Sequence, residues 1–279
     1  MRSRFNISNY SNLAQRVITA FIGATAIIAG SIYSEWIYFL IFGIILAFSQ
    51  MEFYKLSGLD GMLPLKSFGT FIGLTIFCMS FMVEKQNLPD KYYFLIFPLV
   101  SMIFFIKLYR KSDKKPFTGI AYTFLGIFYV AVPFCLLNVA AFAVDDTFHY
   151  EIIIGSLLIL WASDSGAYFA GTKFGKTKLF ERISPKKSWE GSLGGALAAF
   201  VMAVILSNFF MVLQQWQWFC ITGIIIIAGT YGDLIESLFK RSIAIKDSGN
   251  RLPGHGGFMD RFDGLLLSAP FITAFLKIF

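Results

Sequence analysis

The sequence predicts an all-α fold: a polytopic integral membrane helical bundle of about nine transmembrane helices, with its N-terminus in the cytoplasm. Three observations carry that expectation. Hydrophobic residues make up 56% of the chain and charged ones only 15%, where a soluble globular domain holds about a quarter charged. The apolar residues are gathered into stretches of about the length that crosses a bilayer. Lysine and arginine sort onto alternate connections between those stretches.

Taken in order, the stretches are 17–34, 36–54, 64–83, 92–109, 117–143, 150–172, 191–213, 216–239 and 264–279. Arg2, Arg4 and Arg16 before the first run imitate a secretory signal, but the many later spans favour an uncleaved first helix. Glu52, near the end of the second stretch, reads as a helix-end carboxylate in the interface, because charges within membrane spans are rare. The basic run Lys107 to Lys115 reads as a topology determinant that also attracts anionic headgroups. The fifth stretch is long, and Pro133 could kink or split it. One span is preferred, since two would invert everything after it and put the later basic loops on the wrong face. The ninth stretch is short and could be a partial span.

With the N-terminus in the cytoplasm, only Lys85, Lys91 and Lys277 among the basic residues fall outside. The acidic connection Asp145, Asp146, His149 and Glu151 also lands there, so the net charge of +7 is polarised onto one face. Cys78, Cys135 and Cys220 lie within apolar stretches at no paired spacing, which argues against zinc or a disulfide framework. No internal repeat and no loop long enough for a soluble domain appears. Residues 1–143 are expected to be scaffold and residues 144–279 to carry the catalytic site, within one membrane domain.

Nearly all the unusual polar residues follow Tyr150. Asp164, within WASDSGAYFAGTKFGK, sits deep in an apolar stretch, where a charge needs a protein-lined cavity and a partner. A protonated or hydrogen-bonded packing residue is the structural alternative. Ser163, Ser165 and Gly166 beside it suggest a close helix approach. In the following loop, Lys186 and Lys187 stand just before the Ser188, Trp189, Glu190 helix start. Backbone N–H groups at a helix N-terminus and neighbouring lysines suit phosphate. Glu190 could equally be an ordinary first-turn carboxylate.

Asp233, Glu236, Ser237 and Lys240 fall at i, i+3, i+4 and i+7, one polar stripe on an otherwise apolar helix. Then KDSGNRLPGHGG uses five residues, Gly249, Pro253, Gly254, Gly256 and Gly257, to bring backbone close to something, and Asp260 and Asp263 follow. Asp233 and Asp260 are hard oxygen ligands suited to Mg2+, which binds through one or two carboxylates plus substrate phosphates. Lys240, Arg241, Lys246, Arg251 and Arg261 would hold the remaining phosphate charge. His255 could be a ligand or base, though a lone histidine is more often a hydrogen-bonding orienter. A Walker loop, a G-x-S-x-G elbow and a zinc cluster are all absent from the sequence.

The run SLFKRSIAIKDSGNRLPGHGGFMDRFD, with WASDSGAYFAGTKFG and ISPKKSWEGSLGG upstream, resembles the phosphatidate cytidylyltransferase (CDP-diacylglycerol synthase) family. Ser188 stands where threonine is common, which keeps the hydroxyl. The specific match covers about residues 161 to 195 and 230 to 263. The resemblance implies transfer of CMP from CTP to phosphatidic acid, giving CDP-diacylglycerol and pyrophosphate, by a homodimer in a bacterial-type inner membrane with its site facing the cytoplasm. No nucleic-acid partner is expected. In that setting Asp233, Asp260 and Ser237 would hold Mg2+, and Asp164 and Asp263 would orient a second cation or the ligands. Lys186, Lys187, Lys240, Arg241 and Arg261 would clamp phosphates, with Ser188, Lys246 and His255 among the substrate-binding residues. The competing readings are a CTP-dependent polyprenol-type lipid kinase, in which Asp164 or His255 becomes the base, and an ion-coupled transporter, which predicts inverted repeats.

Overall fold

The computed structural model describes residues 12–61, 63–111, 113–245 and 257–279. The chain is an all-α integral membrane protein, and among the described residues seven helical rods are long and apolar enough to cross a bilayer. These are α2 (Glu35–Ser57), α3 (Lys66–Glu84), the rod Asp90–Leu108 ending in α4 (Ile96–Leu108), the rod Pro116–Ala141, α7 (Tyr150–Phe174), α8 (Trp189–Phe209) and the rod Gln215–Ser242. Before them runs α1 (Asn12–Tyr33), whose apolar part is shorter, and after them α11 (Asp263–Ile278), 16 residues long.

Two rods contain a turn of π-helix. The first comprises α5 (Pro116–Gly126), a π segment Ile127–Ala131 and α6 (Val132–Ala141). Pro133 therefore does not split it; the wide turn sits just ahead of the proline, where the ring removes a backbone donor. The second comprises α9 (Gln215–Ile224), a π segment Ile225–Gly229 and α10 (Thr230–Ser242). One feature departs from the all-α expectation. The loop after α7 forms a small antiparallel hairpin, β1 (Lys178–Phe180) with β2 (Ser184–Ser188), pairing Lys178 with Ser188 and Phe180 with Ser184.

A single hydrophobic core draws residues from both halves, from Phe42 and Phe77 to Leu157 and Ile272. The N-terminal half is not held by apolar contact alone. Asn138 of α6 accepts from the Tyr38 hydroxyl of α2 at 3.0 Å and donates to the Phe77 carbonyl and Ser80 hydroxyl of α3. Gln50 of α2 donates to the Gly69 carbonyl at 3.0 Å, while the Tyr54 hydroxyl donates to the Thr123 carbonyl of α5 at 2.8 Å. Lipid tails are as apolar as the side chains, so interhelical hydrogen bonds of this kind supply part of the adhesion.

Lys107 departs from the reading of its basic run, whose other members, Arg110, Lys111, Lys114 and Lys115, are exposed. It is 2% exposed and bonds the Asp113 carboxylate and the Leu63 carbonyl, so it staples two connections rather than facing headgroups. The Lys107 ammonium in turn holds the Asp113 carboxyl below the usual carboxylate range. Cys78 and Cys220 are exposed and Cys135 is buried, all as free thiols.

Candidate active site

Close helix approach sets the frame. On α7 and α8, Gly166 faces Ala198 and the Gly194 carbonyl so tightly that a Cβ there would stand 2.6 Å from each. The Ser163 carbonyl would meet a Cβ on Gly195 at 2.7 Å. The small-residue surface beside Asp164 is thus a packing surface, as expected. On α10, a Cβ at Gly232 would stand 3.0 Å from the carbonyl carbon of Asp263 and 3.0 Å from Gly264 Cα. Backbone meets backbone there, which brings Asp233 beside the start of α11.

The β1–β2 hairpin is fastened to α8 by Glu190, whose carboxylate accepts from the Lys176 and Thr177 amides at 3.1 Å each. Its role is to fold the loop back, beyond that of an ordinary first-turn acid. Ser188, expected among the substrate-binding residues, is the α8 N-cap, 6% exposed, accepting from Gly191 N at 3.1 Å. Capping leaves Lys186 exposed and aims Lys187 at α10, where its Nζ lies 2.6 Å from Asp233 Oδ2 and 3.4 Å from the Thr230 carbonyl. Ser237 donates to Asp233 Oδ1 at 3.3 Å.

One turn further along α10, Lys240 Nζ lies 3.0 Å from Asp260 Oδ1 and 3.3 Å from Glu236 Oε1. Asp260 also accepts from Gly257 N at 3.3 Å, and Asp263, the first residue of α11, accepts from Gly264 N at 2.7 Å. Glu236, 1% exposed, lies against both Asp260 and Asp263. Asp164, accessible yet closely surrounded, feels the charges of Asp233, Lys187 and Arg261. A cavity of about 270 Å³ opens between hairpin and helix, lined by Ile183, Ser184, Pro185, Lys186, Ser237, Lys240 and Arg241. Arg241 and Arg261 are exposed, and Lys246 and His255 lie outside the described residues.

The two carboxylates expected to share an ion, Asp233 and Asp260, therefore sit in separate lysine pairs. Among the described residues no three acidic, histidine or cysteine side chains are arranged to hold a metal. The donors nonetheless fit a hard divalent cation in kind. Asp233 has a hydroxyl beside it and stands in the field of Asp164 and Asp263, a concentration of negative charge that the Lys187 ammonium now answers.

Three further groups reach the cluster. Glu236 was legible as part of the polar stripe, but its burial between Lys240, Asp260 and Asp263 was not. The Tyr129 hydroxyl, on the π segment of the rod Pro116–Ala141, is buried, has no hydrogen-bond partner among the described residues and feels the charges of Glu236, Asp263 and Asp233. Only the wide turn, at a kind of position where functional sites recur, marks it. Glu52 is 2% exposed and bonds Phe258 N at 3.0 Å, which corrects its reading as an interfacial carboxylate.

In this polytopic membrane protein the cavity between hairpin and helix is lined by Lys186, Lys240 and Arg241, with the Asp260 and Glu236 carboxylates paired to Lys240, and such cations are the groups that suit anionic, phosphate-bearing ligands. The sequence model of the cytidylyltransferase family matches residues 14–279, and the chain belongs to that family. Among its relatives, the phosphatidate cytidylyltransferase of Haemophilus influenzae is 30% identical over 286 residues, covering 94% of this chain and 98% of its own. Those of Staphylococcus haemolyticus and Staphylococcus epidermidis are 35% and 34% identical, each covering 64% of this chain and 68% of its own.

Proposed function

We propose that the protein transfers CMP from CTP to phosphatidic acid, forming CDP-diacylglycerol and pyrophosphate, with its site open to the cytoplasm and to the lipid layer. The observation that carries this reading is the cavity between hairpin and α10, where Lys186, Lys240, Arg241 and Ser237 converge beside the Asp233 and Asp260 carboxylates. Full-length similarity to a phosphatidate cytidylyltransferase supports the substrate pair.

An ionised phosphate oxygen of phosphatidic acid attacks the α-phosphorus of CTP. The bond from that phosphorus to the bridging oxygen breaks, and pyrophosphate leaves with the electron pair. The nucleophile needs no strong base, so the barrier is to bring two polyanions together in line. Lys186, Lys240 and Arg241 neutralise the phosphates at the cavity, and Lys187 turns from Asp233 onto an incoming phosphate. That exchange costs little. The Lys187–Asp233 pair is 25% and 44% exposed, and such pairs contribute about 0–1 kcal/mol. Asp233, Ser237 and Asp260 would hold Mg2+, with Asp164 and Asp263 orienting a second cation or the ligands. When bound, the metal supplies charge neutralisation at the phosphoryl oxygens. The enzyme works as a homodimer in this reading.

The test is which phosphate of CTP labels which lipid when purified protein is given phosphatidic acid, a polyprenol and Mg2+. Label from the α-phosphate in the lipid, with unlabelled lipid from γ-labelled CTP, is the expected result. Transfer of the γ-label to a lipid alcohol would replace this reading with that of a lipid kinase.

A further inference from the structure

We infer that Glu52, in the scaffold half, is a positioning residue for the transfer site, holding from a distant helix the turn that delivers Asp260 and Asp263. The inference rests on the reading proposed above. Glu52 Oε2 accepts the Phe258 N–H at 3.0 Å across 206 residues of sequence. One turn earlier on α2, Phe48 stacks on the Phe258 ring, with centroids 5.1 Å apart and planes at 21°. The next residue, Phe53, stacks on Phe239 of α10 at 5.0 Å and 20°. Three successive contacts from one helix thus grip both arms of the site, the end of α10 and the approach to α11.

The chemistry at Phe258 explains why a carboxylate is there. Phe258 precedes a 3₁₀ turn, Met259–Arg261, and offers that turn no side-chain cap. Glu52 satisfies its N–H from another helix, and a charge-assisted bond to a backbone amide is about twice as strong as a neutral one. A buried carboxylate is otherwise an expensive thing to keep in a membrane protein. Asp260 lies two residues beyond Phe258 and its position depends on the same turn, through Gly257 N and Lys240. Loosening Phe258 therefore moves Asp260 relative to the cavity and Asp263 relative to Asp233, without removing any group that touches substrate.

The experiment compares full-length wild-type protein with Glu52→Ala and Glu52→Gln, reading hydrogen exchange over residues 257–263 together with the kinetics of label transfer. Glu52→Ala is expected to speed exchange at the Phe258 amide about tenfold and to lower kcat by about tenfold to a hundredfold, with a smaller change in KM for CTP. Glu52→Gln keeps an acceptor oxygen and restores most of both. Unchanged exchange, or faster exchange with unchanged kcat, overturns the inference. Asp260→Asn run alongside separates the failures: an inactive Asp260→Asn with a fully active Glu52→Ala rejects the positioning role alone, whereas two fully active variants reject the site. If Glu52→Ala does not fold, Glu52→Asp decides. Its carboxylate is one methylene short, so a lowered kcat supports the role and a wild-type kcat overturns it.

Discussion

Two lysines of the cluster, Lys187 on β2 and Lys240 on α10, do different work, and their burial says so. Lys187 is paired with Asp233 where both are partly exposed, so opening the pair costs little and leaves the ammonium available to a ligand. Lys240 is 15% exposed and faces Asp260 and the 1% exposed Glu236. Removing one partner of a buried pair costs about 3–5 kcal/mol, because the remaining charges lose their counterion. Lys187→Ala should therefore raise KM for CTP or phosphatidic acid about tenfold with Tm nearly unchanged. Lys240→Met should lower Tm by several degrees and activity with it. Equal Tm losses in the two variants would show that burial does not separate their roles. The residue types of the cluster could be read from the sequence, since Asp233, Ser237 and Lys240 share a helical stripe with Glu236. Their pairing could not, because which lysine meets which carboxylate depends on the hairpin's return and on the turn at Met259, both tertiary.

At the scale of elements, the decisive contact is between α10 and the start of α11. Gly232→Ala would force its methyl against the Asp263 carbonyl group, which is backbone and cannot rotate away. Gly223, in α9, has open space around it. Gly232→Ala is expected to lower Tm and to slow label transfer at least about tenfold, and Gly223→Ala to change neither. Equal behaviour of the two would mean that the α10–α11 approach does not position the site. Helix extents were legible because hydrophobic runs of crossing length have one solution in a bilayer. The π segments at Ile127–Ala131 and Ile225–Gly229 and the β1–β2 hairpin were not. Each depends on backbone hydrogen bonding over a few residues that no periodicity announces. Ser188 shows the same limit: the sequence placed it at the helix start and the resemblance put it among the substrate-binding residues, and only its bond from Gly191 N reveals it as a cap.

For the whole molecule, composition led to an expected division into a scaffold half and a catalytic half, but the structure joins the two through one core and through Glu52 and Tyr129. A charge hidden in an apolar half looks like an interfacial one until its partner, 206 residues away, is placed. The orientation expected from the basic loops can be measured with single cysteines introduced into a cysteine-free background. A thiol at Lys111 should react with a membrane-impermeant maleimide only after cells are opened, and one at Asp146 should react in intact cells. The reverse pattern would turn the site to the outside and away from its nucleotide.

The most direct measurement is the rate at which α-labelled CTP labels phosphatidic acid with purified wild-type protein and with Asp233→Asn, side by side. Asp233 is the carboxylate that α10 sets against Lys187, Ser237 and the start of α11, so its neutral isostere should be present in the membrane at normal levels and lose at least about a hundredfold in rate. A variant that transfers label at close to the wild-type rate would contradict the account.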